Sequence, residues 1–174
     1  MPPPLREAAR HGVAYRPMTD ADLPFVAALY ASTRADEVAA TGWPAEAQQA
    51  FLAQQHEAQH HHYCKFYPEA ERLIVEREGE AVGRLYLSEW ERELRIVDVA
   101  LVPASRGAGL GGAILRDIQE MAAGLGKAVS IHVEKNNPAR RLYDRLGFAP
   151  IEDKGIYDLL EWRAAARDPD RAGP

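Results

Sequence analysis

Residues 97–112 read VDVALVPASRGAGLGG. An apolar run closes on Pro103-Ala104-Ser105, and Arg106-Gly107-Ala108-Gly109-Leu110-Gly111-Gly112 follows. From there Leu110, Ile114, Ile118 and Ala122 recur every four residues, with Leu115, Met121 and Leu125 beside them. That spacing predicts a helix with one buried face, stopped at Gly124 or Gly126. A strand, a glycine-rich turn and a helix N-terminus in this order present bare backbone N–H groups in a row. Such a row is a ready site for a diphosphate.

Outward from this segment, residues 127–134 predict a strand that follows the helix. A strand–helix–strand crossover of this length makes the two strands parallel neighbours. Asn137 caps a further helix with Pro138 in its first turn, Ala139, Leu142, Tyr143 and Leu146 facing inward, and Gly147 as its stop. Residues 148–151 and 156–162 predict a closing hairpin. Upstream, residues 13–16 predict a short strand, and Thr19-Asp20-Ala21-Asp22 a capping box. Leu23, Val26, Leu29 and Tyr30 then recur at helical spacing to about Arg34. Pro44 opens a second helix reaching about Tyr63, whose sparse apolar positions put it on the surface or over a site. Residues 73–76, 81–88 and 94–102 predict an antiparallel meander. The predicted order is β-α-α-β-β-β-α-β-α-β-β, an α/β fold with a mixed sheet and helices on both faces.

The chain has 174 residues, 47% of them hydrophobic, enough for one well-filled core. Residues 12–163 are expected as a single domain, residues 1–11 as a mobile leader and residues 164–174 as an unpacked tail. The net charge of −5 argues against a global nucleic-acid surface. No run approaches the roughly 18 apolar residues that span a bilayer. The N-terminal MPPPLREAARHG lacks the apolar core of a secretion signal. A single cysteine, Cys64, fits a reducing compartment, so the expected location is the cytoplasm.

Two nucleotide-binding readings compete for the glycine turn. Gly107-x-Gly109-x-x-Gly112 matches the dinucleotide pattern, with Glu134 placed for a ribose. Against it, Pro103-Ala104-Ser105-Arg106 separates the strand from the first glycine, an antiparallel meander precedes the unit, and no second half follows. A Walker A loop fails because no Lys-Ser/Thr follows the last glycine. The closer match is Arg106-x-x-Gly109-x-Gly111 after Val-Ala-Leu-Val-Pro, followed by Asn136, Ala139, Leu142-Tyr143 and Leu146-Gly147-Phe148. These two blocks resemble the signatures of the GNAT superfamily of N-acetyltransferases, and the likeness spans about residues 13–162.

The resemblance implies acetyl-CoA as cofactor and transfer of acetyl to a primary amine of a small molecule or a protein by direct attack in a ternary complex. It implies a diphosphate held by Arg106, Gly107, Ala108, Gly109, Leu110, Gly111 and Gly112. The pantetheine arm would pair with Val99, Ala100 and Leu101 like an added strand, with Asn136, Ala139 and Tyr143 also lining the cofactor. Tyr143 would be the acid that protonates the sulfur. A homodimer is compatible with it.

A lysine-like amine, with a pKa of about 10.4, is neutral in roughly one molecule per thousand at pH 7, so something must take its proton. Arg95 stands where some family members carry a glutamate. Asp98 and Glu134 are the acidic candidates for a base. The same departure leaves open a CoA-binding module that has lost catalysis. His132 reads as a core histidine. His56 and His60 fall i,i+4 but lack a clear third ligand, so they predict a solvated face rather than a metal site. His56, Gln59, Trp43 and Tyr63 are candidates to shape an acceptor pocket, and Cys64 reads as inert.

Overall fold

A computed structural model describes residues 1–165. Most of the expected tail, residues 164–174, therefore lies outside the described residues. Seven strands form one sheet in the order β1-β2-β3-β4-β5-β7-β6. The strands are β1 Val13–Pro17, β2 Glu71–Arg77, β3 Glu80–Glu89, β4 Glu93–Leu101, β5 Ala128–Glu134, β6 Ala149–Lys154 and β7 Tyr157–Trp162. The helices are α1 Leu23–Ala39, α2 Ala45–Phe66, α3 Leu110–Leu125 and α4 Arg140–Arg145. All neighbours pair antiparallel except β4 and β5, which are parallel across the α3 crossover. This is the mixed α/β sheet and the element order that the sequence predicts.

The elements end where local chemistry stops them. The Thr19–Asp22 capping box forms a short 3-10 turn that leads into α1. α1 runs to Ala39 rather than stopping near Arg34, because Ala35-Asp36-Glu37-Val38 holds no breaker before Gly42. α3 ends at Gly126 in the left-handed region, at φ 67°. Before α4, Asn137 Oδ1 accepts the Ala139 N–H at 2.8 Å, and the helix proper begins only at Arg140.

The core lies on the α3 face of the sheet. Leu73 and Val75 of β2, Leu85 and Leu87 of β3, Leu94 and Ile96 of β4, and Val129 and Ile131 of β5 pack with Ala113, Ile114, Ile118 and Ala122. Alternation puts Arg84, Tyr86, Arg95 and Ser130 on the opposite face. α1 contacts β3 and β4 there, and α2 bonds to Arg84 from Gln59. The segment expected as a mobile leader is docked along residues 6–8: the fully buried Asp117 of α3 accepts the amides of Arg6, Glu7 and Ala8 at 3.1, 2.7 and 2.9 Å. Ala8 itself is in the core.

Two irregularities open the sheet along β4. This strand carries an extra residue, Val97, between the pairs Tyr86↔Asp98 and Leu87↔Ile96; such a bulge bends its strand. β4 and β5 pair only from Glu93↔Ala128 to Ile96↔Ile131. Beyond the bulge the two strands part, and residues 97–101 keep an unpaired edge toward β5. Gly83 holds β3 close there, since a Cβ on it would overlap Ala100 O and the Leu101 side chain.

Candidate active site

The glycine turn stands at the open end of this splay. Val102 N–H still bonds back to Val82 O at 2.8 Å; Pro103–Ser105 then makes one 3-10 turn. Gly107 and Gly109 both take positive φ, 77° and 83°, a region that side chains rarely adopt. The first α3 amide bonded to a backbone acceptor is that of Ala113, on Gly109 O at 3.0 Å. The amides of Leu110, Gly111 and Gly112 are therefore at the open end of the helix, where the dipole also favours an anion. Gly107, Ala108 and Gly109 are exposed beside them.

Arg106 does not face this turn. Its Nε donates to Leu101 O at 2.8 Å and its Nη2 to Ser32 Oγ of α1 at 3.0 Å. It ties the end of β4 to α1. Val99, Ala100 and Leu101 line the parted edge, with Val99 and Leu101 packed on the core side. Asn136 is exposed in the turn after β5, and Ala139 is half-buried at the start of α4.

Tyr143 of α4 is buried, edge-on to Phe148 with ring centroids 5.5 Å apart. Burial pushes its phenol well above the usual tyrosine range, and the Asp98 carboxylate adds to this. Asp98 lies on the half of β4 that parts from β5, and Tyr143 on α4. Asp98 is also paired with Arg84 of β3, a guanidinium only 3% exposed, which bonds to Gln59 Oε1 at 2.8 Å as well. Tyr63 of α2 packs edge-on to Tyr86 at 6.0 Å, and its phenol is raised by burial first and then by Asp98. His56 is buried beside Tyr30, at 5.6 Å between centroids; burial, then Arg84, pushes its pKa down. Gln59, His56 and Tyr63 thus face the sheet next to Asp98, whereas Trp43 packs on Phe51 and is 45% exposed.

Glu134 ends β5 in a different arrangement. Arg34 of α1 donates to its Oε1 at 2.7 Å, and the Tyr157 hydroxyl donates to the same atom at 3.3 Å. Arg95 is buried, with Nε on Ser130 Oγ at 2.7 Å, Nη2 on Glu93 Oε1 at 2.8 Å and Nη1 3.2 Å from His132 Nδ1. Its guanidinium lies over the Trp90 ring at 4.8 Å. His132, expected in the core, is exposed. It sits in the strand phase that faces away from α3.

The sequence pattern missed Arg84, Arg34 and Tyr157. Only Arg84 carried a signal: it is a lone charge inside the apolar run Val82-Gly83-Arg84-Leu85-Tyr86-Leu87. A cavity of about 350 Å³ lies between α2 and the start of α1, lined by Met18, Asp20, Leu23, His60, Cys64 and Arg72, and shares no residue with the Asp98–Tyr143 region. Among the described residues no three His, Cys, Asp or Glu side chains gather as a metal site, and no helix is long and apolar enough to cross a membrane.

A family model described as the acetyltransferase (GNAT) family matches residues 30–148. Among solved structures, the chain is similar to the PaiA N-acetyltransferase of Thermoplasma acidophilum in complex with coenzyme A, at TM-score 0.65 and 13% identity over 87% of this chain and 99% of that one. It is also similar to a GNAT family acetyltransferase from Elizabethkingia anophelis with acetyl-CoA bound, at TM-score 0.53 and 18% identity over 88% and 99%. A third likeness is to a protein of Corynebacterium glutamicum described as histone acetyltransferase HPA2 and related acetyltransferase, at TM-score 0.58 and 23% identity over 89% and 97%. At these identities the likeness is one of fold. No curated protein matches the chain.

Proposed function

The chain belongs to the acetyltransferase (GNAT) family, and from that premise we propose that it moves acetyl from acetyl-CoA to a primary amine held beneath α2. The observation that carries this reading is the junction of two free backbone arrays: the open amides at 107–112 and the unpaired edge of β4 at 97–101. The first suits a diphosphate. The second suits an amide-bearing arm that adds to the sheet as a strand would. One cofactor with a diphosphate at one end and peptide-like amides along its arm fits both. The acetyltransferases of Thermoplasma acidophilum and Elizabethkingia anophelis, crystallised with coenzyme A and acetyl-CoA, share the fold.

In this reading Val99, Ala100 and Leu101 hold the arm, and Asn136 and Ala139 border it. The thioester then stops between Asp98 and Tyr143. The amine nitrogen attacks the acetyl carbon directly and forms the C–N bond. An N–H of the free β4 edge stabilises the oxyanion, and the C–S bond breaks as the intermediate collapses. Tyr143 gives its proton to the departing thiolate. Burial and the Asp98 charge keep the phenol protonated in the resting site, so its proton is released only as thiolate charge develops beside it. Both acids are ion-paired, Asp98 with Arg84 and Glu134 with Arg34; Asp98 stands on the free half of β4, beside the acetyl group in this reading, and receives the amine proton directly or through water. Glu134 is engaged by Arg34 and Tyr157, and we assign it to holding α1 against β5. Arg84, Gln59, His56 and Tyr63 form the floor of the acceptor site. We place the protein in the cytoplasm on its single cysteine.

Thermal unfolding with matched acetyl-CoA, CoA and NADH tests the cofactor. At ~100 times Kd the bound form gains about 2.7 kcal/mol. We expect a rise in Tm with acetyl-CoA and CoA and none with NADH. A rise with NADH alone would restore the dinucleotide reading.

A further inference from the structure

The side chain that the loop pattern would enlist against a diphosphate is Arg106, and the fold has committed it to Leu101 O and Ser32 Oγ. Two other basic side chains lie against the turn. His11 closes the 3-10 turn Ala8–His11, and a Cβ built on Gly109 would stand 3.5 Å from its Cε1 and 4.0 Å from its Nε2. Arg116, one turn into α3, folds back over Gly112; both Nη atoms lie 3.6 Å from where a Cβ on that glycine would be. The neighbouring Arg6 and Arg10 are tied to Glu120 and Glu7. Arg116 and His11 have no such carboxylate partner among the described residues.

The position of His11 is built, not incidental. Asp117 grips the amides of residues 6–8, Gly12 turns the chain at φ 73°, and Val13 enters β1. His11 is thus suspended between two fixed points, with Gly109 beside it. Arg116 precedes Asp117, so consecutive α3 residues serve the two tasks.

We propose that His11 and Arg116, rather than Arg106, are the side chains that bind the cofactor diphosphate, closing on the amide cradle from its two flanks. This rests on acetyl-CoA being the cofactor. Backbone amides orient an anion but bring no net charge. A guanidinium adds a charge and a bidentate fork, and an imidazole N–H donates to a phosphate oxygen. Contacts that come from outside the loop explain how the cradle can hold its anion while Arg106 braces β4.

Titration calorimetry on the full chain tests this, with wild type, H11Q, R116Q and R106Q each checked for folding by circular dichroism. The ligands are acetyl-CoA, acetyl-dephospho-CoA, which keeps the diphosphate without the 3′-phosphate and should show the same losses, and acetyl-pantetheine, which lacks the whole phosphorylated adenosine diphosphate. R116Q should weaken acetyl-CoA about tenfold and H11Q somewhat less, on the scale of one hydrogen bond to a charged group. R106Q, which removes the brace on β4, should change acetyl-CoA and acetyl-pantetheine binding by the same factor, and acetyl-pantetheine should bind wild type, H11Q and R116Q alike. The salt dependence of acetyl-CoA binding should flatten in R116Q. Unchanged acetyl-CoA affinity in R116Q and H11Q overturns the inference and leaves the cofactor reading standing, as does tighter binding by H11Q, which would make the ring an obstacle. A wild type that binds no acetyl-CoA overturns both.

Discussion

Tyr143 and Asp98 lie 45 positions apart in the chain, yet the carboxylate acts on the phenol in the fold. The tyrosine was legible from its place in the Asn136–Phe148 block. Its protonation state was not, because that depends on burial and on a charge from another strand. Asp98 was legible only as an acid near the right strand end. Its pairing with Arg84 depends on two adjacent strands and on a bulge that turns it to the α2 face. Glu134 shows the same limit from the other side: the residue is where the sequence put it, but Arg34 and Tyr157 engage it. We expect Tyr143→Phe to lower kcat by roughly 10²–10⁴ while acetyl-CoA affinity stays within a few-fold. Thiol release against an amine panel measures the first and calorimetry the second; an unchanged kcat would remove Tyr143 from the chemistry.

The decisive element is β4. Its first half pairs on both sides and its second half on one. Val97 is the hinge of that change, and Gly83 lets β3 follow it without overlap. A strand pattern with one apolar residue too many is hard to distinguish from ordinary alternation, so the bulge was invisible in sequence. α2 was legible as a helix over a site, but not as the element that brings His56, Gln59 and Tyr63 to Arg84. Docking α2 has a pH consequence. Burial first, and Arg84 second, lower the His56 pKa in the fold, so below about pH 6.5 the unfolded chain takes up a proton that the folded chain resists. Stability therefore falls as pH drops below that value and levels off above it. Urea unfolding between pH 5 and 8 should show this slope in wild type and a shallower one in His56→Gln; equal slopes would mean that His56 is not the group responsible.

At the scale of the whole molecule, Asp117 joins parts that are far apart in the chain. One fully buried carboxylate fastens the N-terminal segment to α3 and so sets His11 beside the glycine turn. Asp117→Ala would leave three amides without their acceptor. The expected loss is about 2 kcal/mol or more, read as a lower urea midpoint at constant m-value, with faster proteolysis near residue 6. A loss below about 0.5 kcal/mol would show the tether to be idle. What the sequence determined by itself was local or periodic: the element order, the parallel crossover, the glycine turn and the block around Tyr143. Backbone dihedral preference, helical spacing and caps act over a few residues and can be read in a line. What only the tertiary structure decided was which charges meet: Arg84 with Asp98, Arg34 with Glu134, Arg106 with β4 and α1, and Asp117 with a segment that the sequence alone set free. Ion pairs and buried hydrogen bonds depend on distances of a few ångströms between residues tens of positions apart, and those distances exist only once the sheet has formed.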